Sequence, residues 1–165
     1  MKILKTSKRL NIKTINESNY TIVYNHLIKD AYTRSNFVSF PKQFITSSNL
    51  NYTSLYYLAE TFTEEKLIGY LNGYVKHDTR CFWLQNMIIH PDYYRQYYGT
   101  EFFYSIIDIL RGTYNVNKIY LTVLDSNQKG KCFWSALGFV KIHSITKEVH
   151  TSNITATVYE KNLVR

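Results

Sequence analysis

The chain has 165 residues, of which 45% are hydrophobic and 19% charged, and these are the proportions of one globular domain over residues 1–165. This composition excludes an intrinsically disordered chain and a fibrous repeat. The two cysteines, Cys81 and Cys132, lack the spacing of a metal site or a disulfide scaffold, so we expect no bound metal and a cytoplasmic protein. The chain contains no signal-peptide pattern and no apolar run of the roughly 18 residues that cross a membrane. We therefore expect neither export nor a membrane partner.

The formal net charge of +8 indicates a polyanionic partner, which could be nucleic acid, an acidic surface or a phosphorylated cofactor. Charge alone does not distinguish these three. The 16 tyrosines reflect a general compositional bias, so a tyrosine by itself is weak evidence for a functional site.

The first third of the chain predicts a strand, a helix and a loop. Apolar and polar residues alternate over residues 8–14, as in an edge strand. Asn16 can cap a helix whose apolar residues recur at helical spacing as far as Ala31. Residues 34–51 follow no period, and we interpret them as a loop, with or without one short helix, that acts as a lid or binds an acceptor.

The middle of the chain predicts a hairpin, a central strand and an amphipathic helix. Residues 55–59 and 67–71 are separated by a polar turn, and residues 81–89 are apolar on both faces. Residues 102–110 keep the spacing of one apolar helix face, and Gly112 is predicted to end that helix.

The last third predicts a strand at residues 118–124, a helix at 128–137 ended by Gly138, and a hairpin of strands 139–149 and 154–161. The complete element order predicts one α/β domain with a mixed sheet.

Residues 87–100 run from the central strand through a tight turn into a helix. The first turn of a helix has four backbone N–H groups without intrahelical partners and carries the positive end of the helix dipole, so it can bind a phosphate. Arg95 adds a positive charge. The alternative interpretation is an ordinary strand-to-helix connection.

Two motifs in this order resemble the GNAT superfamily of N-acetyltransferases. Ile89-His90-Pro91 matches the family's Val-x-Pro, and residues 94–99 match part of its Gln/Arg-x-x-Gly-x-Gly/Ala. Residues 127–139 keep the full spacing of the later motif, Asn-x-x-Ala-x-x-Phe-Tyr-x-x-x-Gly-Phe. The resemblance implies a mixed, mostly antiparallel, twisted sheet flanked by helices.

The resemblance also implies that acetyl-CoA binds as a co-substrate where the strands at 81–89 and 118–124 splay apart. Backbone N–H groups at 87–89 would contact the pantetheine and the thioester carbonyl, and those at 95–100 would cradle the pyrophosphate. Asn127 would hydrogen-bond the pantetheine arm. The implied cofactor-binding residues are Met87, Ile88, Ile89, Tyr94, Arg95, Gln96, Tyr97, Tyr98, Gly99, Thr100, Asn127, Gly130, Phe133 and Trp134.

The chain departs from the family pattern at three of these positions. Tyr94 replaces the usual Gln or Arg, and Tyr97 replaces the central Gly, so the Tyr97 ring must point away from the cofactor or narrow its site. Trp134 stands where many members have a Tyr that is proposed as the general acid, a role that an indole cannot fill. A CoA thiolate is a tolerable leaving group, so the acid is dispensable.

The base that deprotonates the acceptor amine is not identified by a motif. Glu60 is the first catalytic candidate, His90 the second and a water relay the third; Gln85 lies where some members carry Glu. The alternative for Glu60 is a surface carboxylate, which is the slightly favoured interpretation, and the alternative for His90 is a turn residue.

The leading hypothesis is an enzyme that transfers acetyl from acetyl-CoA to a primary amine by direct attack in a ternary complex. A second hypothesis is a catalytically silent acyl-CoA-binding protein. A nucleic-acid partner is not expected, because no helix-turn-helix or RNA-recognition signature occurs. The expected acceptor is a small-molecule or peptide amine of unspecified identity, and the edge of the last strands is a plausible homodimer contact.

Overall fold

The computed structural model describes residues 2–28, 51–149 and 152–163. Within these ranges eight strands form one sheet, in the order β1-β2-β3-β4-β5-β6-β8-β7, with three α-helices. The strands are β1 (Ile3–Thr6), β2 (Leu10–Thr14), β3 (Tyr52–Thr61), β4 (Leu67–Lys76), β5 (Cys81–Ile89), β6 (Lys118–Leu124), β7 (Val140–Val149) and β8 (Ser152–Asn162), and the helices are α1 (Glu17–Val23), α2 (Tyr98–Tyr114) and α3 (Gln128–Ala136).

The sheet is mixed and mostly antiparallel, which confirms the predicted fold class. β5 and β6 pair in parallel, and the other neighbouring strands described here pair antiparallel. The parallel pair requires a crossover connection, and α2 provides it. Among the described residues, no helix is long and apolar enough to span a bilayer.

Alternate residues of β3 pack into two apolar clusters on opposite faces of the sheet. Tyr57 and Ala59 belong to the larger cluster, which includes α2 and α3, whereas Tyr56 and Leu58 belong to the smaller cluster, which includes α1. The apolar face of α2 that the sequence predicts is buried in the larger cluster: Phe102, Phe103, Ile106 and Leu110 are fully buried. Burial of each such side chain stabilises the fold by about 1.5–3 kcal/mol.

One predicted helix end is wrong, one lies outside the described residues, and one strand was missed. The first helix is α-helical as far as Val23 and π-helical over Tyr24–Ile28. Ala31, where the sequence predicts that helix to reach, and most of the predicted loop lie outside the described residues. α2 runs past Gly112, and Asn115 ends it with a left-handed φ of 52°. Asn tolerates this conformation because its short polar side chain can hydrogen-bond locally. β1 was missed because it is a short edge strand of four residues with exposed Ile3.

Candidate active site

The parallel strands β5 and β6 separate at one end. Their register runs from Cys81 opposite Lys118 to Leu84 opposite Leu121. Beyond that point residues 86–89 stay paired with β4, and residues 122–124 pair with β8. We call the gap between these two segments the wedge.

A β-bulge lies where the wedge begins. Asn72 of β4 faces Asn86 and Gly73 faces Leu84, so Gln85 is the additional residue on β5. A bulge bends its strand and increases the local twist. The bulge therefore explains why β5 leaves β6 immediately after Leu84.

The predicted thioester-binding residues Met87, Ile88 and Ile89 line the β5 side of the wedge. In an antiparallel pair, alternate backbone groups point away from the partner strand. Pairing of this segment with β4 thus turns part of its backbone N–H and C=O groups toward the wedge. The side chains of Met87 and Ile89 pack on the larger cluster, and Ile88 packs on the smaller one.

The predicted phosphate loop follows β5. After His90 a 3-10 turn covers Pro91–Tyr93, and α2 begins at Tyr98. Two residues of the loop have left-handed backbones, Arg95 with φ 58° and Tyr97 with φ 63°. This conformation costs about 1–2 kcal/mol for a residue with a Cβ.

The structure shows how the chain accommodates Tyr97 where the family has Gly. Its ring is 79% exposed, so the side chain does not fill the interior of the fold. Its backbone keeps the left-handed conformation, for which Gly is the usual residue. The loop thus keeps a glycine-like backbone without a glycine at this position.

Residues from both sequence motifs meet at the start of α2. A Cβ built on Gly99 would lie 3.4 Å from Ile89 Cγ1 and 3.4 Å from Phe133 Cζ. The end of β5, the first turn of α2 and the middle of α3 therefore converge beside the wedge. The neighbouring predicted residues Tyr94, Gln96 and Thr100 belong to the same loop and first turn.

Asn127 lies at the other side of this site and caps α3. Its Oδ1 accepts a hydrogen bond of 2.9 Å from the Gly130 N–H, and its own N–H donates to the Leu124 carbonyl at 2.9 Å. A Cβ on Gly130 would lie 2.6 Å from Asn127 Nδ2, so a side chain at position 130 would disrupt the cap. The sequence motif gave these two residues a cofactor role, and the structure adds a helix-capping role.

Trp134 is a core residue. Its ring is 8% exposed and packs edge to face against Phe103, Phe133 and Phe139, with centroid distances of 4.9–5.3 Å. A cofactor contact through this ring stays a prediction, and the burial of Trp134 disfavours it. Phe133, which is only partly buried, contacts the Gly99 end of the site.

Glu60 is not the surface carboxylate that the sequence slightly favoured. It is 8% exposed and forms an ion pair with Lys13 of β2. It lies on β3, two strands away from β5, and two strand spacings are about 10 Å. Its carboxylate is therefore neutralised by a lysine and displaced sideways from the wedge.

His90 lies directly after β5. Its N–H donates to the Ile68 carbonyl at 2.8 Å, and its Nδ1 accepts from the Asp92 N–H at 3.4 Å. The Asp92 carboxylate lies 3.7 Å from the same Nδ1, so His90 is held in the turn after β5, and its role as a base stays a prediction.

A row of three amides beside the bulge was missed by the sequence analysis as a group. Asn86 Nδ2 donates to Asn72 Oδ1 at 2.9 Å, and Asn72 Nδ2 donates to Gln85 Oε1 at 3.0 Å. Asn72 is 5% exposed. A buried Asn in an otherwise apolar strand was the signal that could have identified it.

Tyrosines of the smaller cluster lie on the same sheet face as the amide row. Tyr70 precedes Asn72 by two residues on β4 and hydrogen-bonds Tyr20 of α1. Burial, with a further contribution from Tyr56, raises the pKa of Tyr20 to about 12, and burial raises that of Tyr70 well above its ordinary value. Both phenols are therefore neutral at physiological pH.

Comparisons with known proteins agree with this geometry. The model of the acetyltransferase (GNAT) family matches residues 22–139. A mutant spermidine N-acetyltransferase from Vibrio cholerae is structurally similar with a TM-score of 0.74, at 15% identity, over 94% of this chain and 95% of that one. A ribosomal-protein-S5-alanine acetyltransferase from Vibrio fischeri has a TM-score of 0.73, at 14% identity, over 96% and 95% of the two chains.

A dodecameric spermidine N-acetyltransferase from Vibrio cholerae has a TM-score of 0.69, at 14% identity, over 94% of this chain and 95% of that one. A sequence comparison with curated proteins finds no significant match. At such low identities the structural matches establish the fold, and the family model establishes the family. Since that model covers well over half of its residues, the chain belongs to the acetyltransferase (GNAT) family.

Proposed function

We infer that this protein is an N-acetyltransferase that moves an acetyl group from acetyl-CoA to a primary amine by direct attack in a ternary complex. The observation that carries this function is the wedge between β5 and β6, with the left-handed loop and the start of α2 beside it. Together they offer backbone donors for a thioester and for phosphates.

The wedge would hold the pantetheine and the thioester of acetyl-CoA. Wedge-facing backbone N–H groups of residues 87–89 lie where a thioester carbonyl would enter. Donors aimed at the oxyanion of a tetrahedral intermediate are typically worth about 3 kcal/mol each. Asn127 at the opposite side keeps its Nδ2 group for the pantetheine arm, because the cap uses only Oδ1.

The phosphates of the coenzyme would bind at the start of α2. The first helical turn offers unpaired N–H groups and the positive end of the helix dipole. Arg95 contributes a cation directly before that turn. The net charge of +8 would also attract the anionic phosphates of the coenzyme.

In the reaction the amine nitrogen forms a bond to the thioester carbon, the C–S bond breaks, and CoA leaves as a thiolate. The thiolate needs no acid, because a thiol of this kind has a pKa near 8.5. Glu60 is bound to Lys13, and the Nδ1 atom of His90 is engaged with the Asp92 N–H in the turn after β5. We therefore propose that water carries away the proton of the amine.

The phenols of Tyr20 and Tyr70 are buried, so the acceptor would bind at the amide row, through the exposed Gln85 and the half-buried Asn86. These groups recognise hydrogen-bonding partners and supply no net charge. They favour a small-molecule or peptide amine held through neutral polar groups near the reacting nitrogen. A polycation would instead be held by unpaired carboxylates, and the buried carboxylate of β3, Glu60, is paired with Lys13.

Thermal unfolding with acetyl-CoA tests the coenzyme site. At a hundredfold excess over Kd, the ligand raises the free energy of unfolding by about 2.7 kcal/mol. The expected rise in Tm is about 8 °C for a domain of this length. A Tm that millimolar acetyl-CoA leaves unchanged would refute the proposed coenzyme.

Thiol release from acetyl-CoA with a panel of amines then tests the transfer. Spermidine and a peptide with an N-terminal alanine form two arms of the panel, chosen because the structural neighbours include a spermidine N-acetyltransferase and a ribosomal-protein-S5-alanine acetyltransferase. Turnover with the peptide or with a small polar amine in preference to spermidine is expected. Binding of acetyl-CoA without thiol release for any amine would favour the silent acyl-CoA-binding protein.

We also propose a homodimer in the cytoplasm. The edge strand β7 exposes Val140, Ile142 and Ile145, and an exposed apolar edge strand invites pairing with another chain. Both cysteines are free, and Cys132 is exposed, as in proteins of a reducing compartment. Light scattering of the protein and of Ile145→Lys tests the dimer, and a monomeric parent protein would refute it.

A further inference from the structure

The phosphate loop has a backbone that its own residues do not favour. Arg95 and Tyr97 are left-handed although both carry a Cβ, and Gly99 follows them inside α2. A local sequence of this kind does not specify the loop by itself. Contacts from elsewhere in the chain must hold it in place.

Arg9, from the turn between β1 and β2, makes these contacts. Its Nη1 donates to the carbonyl of Gln96 at 3.1 Å, and Gln96 is the residue between the two left-handed ones. Its guanidinium carbon lies 4.0 Å above the centroid of the Tyr98 ring, at the first residue of α2. Its Nε donates to Glu101 Oε2 at 2.7 Å. One side chain thus contacts the loop and the first turn of the helix at three points.

Glu101 anchors Arg9 through further hydrogen bonds to the β1–β2 turn. Its Oε1 accepts from the Arg9 backbone N–H at 2.9 Å and from Ser7 Oγ at 2.6 Å. Burial raises the pKa of the Glu101 carboxyl, but these hydrogen bonds from Ser7 and Arg9 outweigh it and hold the pKa below its usual value. The carboxylate is therefore charged and fully engaged with the β1–β2 turn.

We propose that Arg9 is a positioning residue for the coenzyme, and that, held by Glu101, it keeps residues 95–98 in the conformation that binds the pyrophosphate. The proposal rests on the use of acetyl-CoA proposed above. A planar guanidinium suits this task, because it can donate to two acceptors and stack on a ring at the same time. Lysine has the charge without that geometry.

The alternative is that Arg9 contacts a phosphate itself. The Glu101→Gln variant separates the two roles, because each role predicts a different direction of change in the Kd for CoA. The variant weakens the anchor of Arg9 and leaves the cation in place. If Arg9 positions the loop, the Kd for CoA rises about fivefold to tenfold. If Arg9 binds phosphate directly, a less neutralised guanidinium binds CoA as tightly or more tightly.

A matched control is Asp108→Asn. Lys5 and Asp108 form a second ion pair between β1 and α2, farther along the helix from the loop. Its loss removes another ion pair between the β1–β2 hairpin and α2 without touching residues 95–98. The Kd for CoA should stay within about twofold of that of the parent protein.

The experiment is calorimetric titration of CoA into the full chain and its Arg9→Ala, Arg9→Lys, Glu101→Gln and Asp108→Asn variants, each shown to be folded by its thermal unfolding. Weaker binding in the first three, with Asp108→Asn unchanged, supports the proposal. Restoration of affinity by Arg9→Lys, or unchanged affinity in Glu101→Gln, overturns it. If Arg9→Ala does not fold, the other variants still decide the question.

Steady-state kinetics provide a second readout. Loss of loop positioning should raise the KM for acetyl-CoA about as much as the Kd for CoA and leave the KM for the amine unchanged. An equal effect on both KM values would indicate a merely structural role. A parent protein that binds no CoA would instead refute the proposed function, so the two failures are distinguishable.

Discussion

Replacement of Tyr97 by glycine should remove a backbone strain that replacement by alanine leaves in place. Tyr97 has φ 63°, and its ring is 79% exposed. Both variants lose the same ring and the same few contacts. The difference between them therefore isolates the cost of the left-handed backbone.

The magnitude follows from two opposing effects. A residue with a Cβ pays about 1–2 kcal/mol in the left-handed region. Glycine avoids this cost but loses about 0.5–1 kcal/mol through the greater freedom of its unfolded chain. We expect Tyr97→Gly to be more stable than Tyr97→Ala by about 1 kcal/mol, which corresponds to about 3 °C in Tm for a domain of this length.

Tyr104 offers a control in which the stability difference between the glycine and the alanine variant should have the opposite sign. It is also exposed and lies inside α2, where the backbone is right-handed. There glycine should be less stable than alanine by about 1 kcal/mol. Thermal and urea unfolding of the four variants measure both differences. A Tyr97→Gly variant that is less stable than Tyr97→Ala would refute the left-handed loop and the reasoning built on it.

Four further variants test two glycines of α2 and β4, the cap of α3 and the catalytic candidate Glu60. Gly112→Ala should raise the free energy of unfolding by about 1 kcal/mol, since a Cβ there meets nothing within 4 Å; Gly73→Ala should lower it, since its Cβ would lie 2.2 Å from the Trp83 carbonyl oxygen. Asn127→Ala should cost about 1 kcal/mol of stability through the lost cap and weaken CoA binding about fivefold, as measured by urea unfolding and calorimetry. Glu60→Gln should leave the charge of Lys13 unpaired and lower stability by about 1–3 kcal/mol. Its pH–rate profile should keep the shape of the parent's, and a selective loss of rate at low pH would restore Glu60 as the base.

The sequence predicted those parts of the fold that depend on local pattern. The apolar spacing of residues 102–110 predicted the buried face of α2, and the doubly apolar run at 81–89 predicted a central strand. Both signals are strong because burial on one or both faces of an element constrains every apolar position in it. The two motifs also identified Ile89, Gly99 and Phe133, which the fold brings together beside the wedge.

Features that depend on partners distant in sequence were not predictable. Glu60 looks like a surface carboxylate until β2 places Lys13 beside it.

The end of α2 was missed for a local reason. It was assigned to Gly112, but Asn115 takes the left-handed conformation, and both glycine and asparagine can end a helix in this way. The contact of Arg9 with Gln96 is again a contact between distant residues: the two lie 87 residues apart, and nothing in the local sequence near Arg9 indicates it.

The same distinction explains how a family motif can lose a glycine and keep its shape. When glycines specify a loop, the adjacent residues determine its conformation, and a side chain such as that of Tyr97 counts against the motif. Here the cost of the left-handed backbone is opposed by contacts from the β1–β2 turn, which the motif does not include. A motif search that scores only residues 94–99 therefore underrates this chain, because part of the information that shapes the loop lies at Arg9 and Glu101.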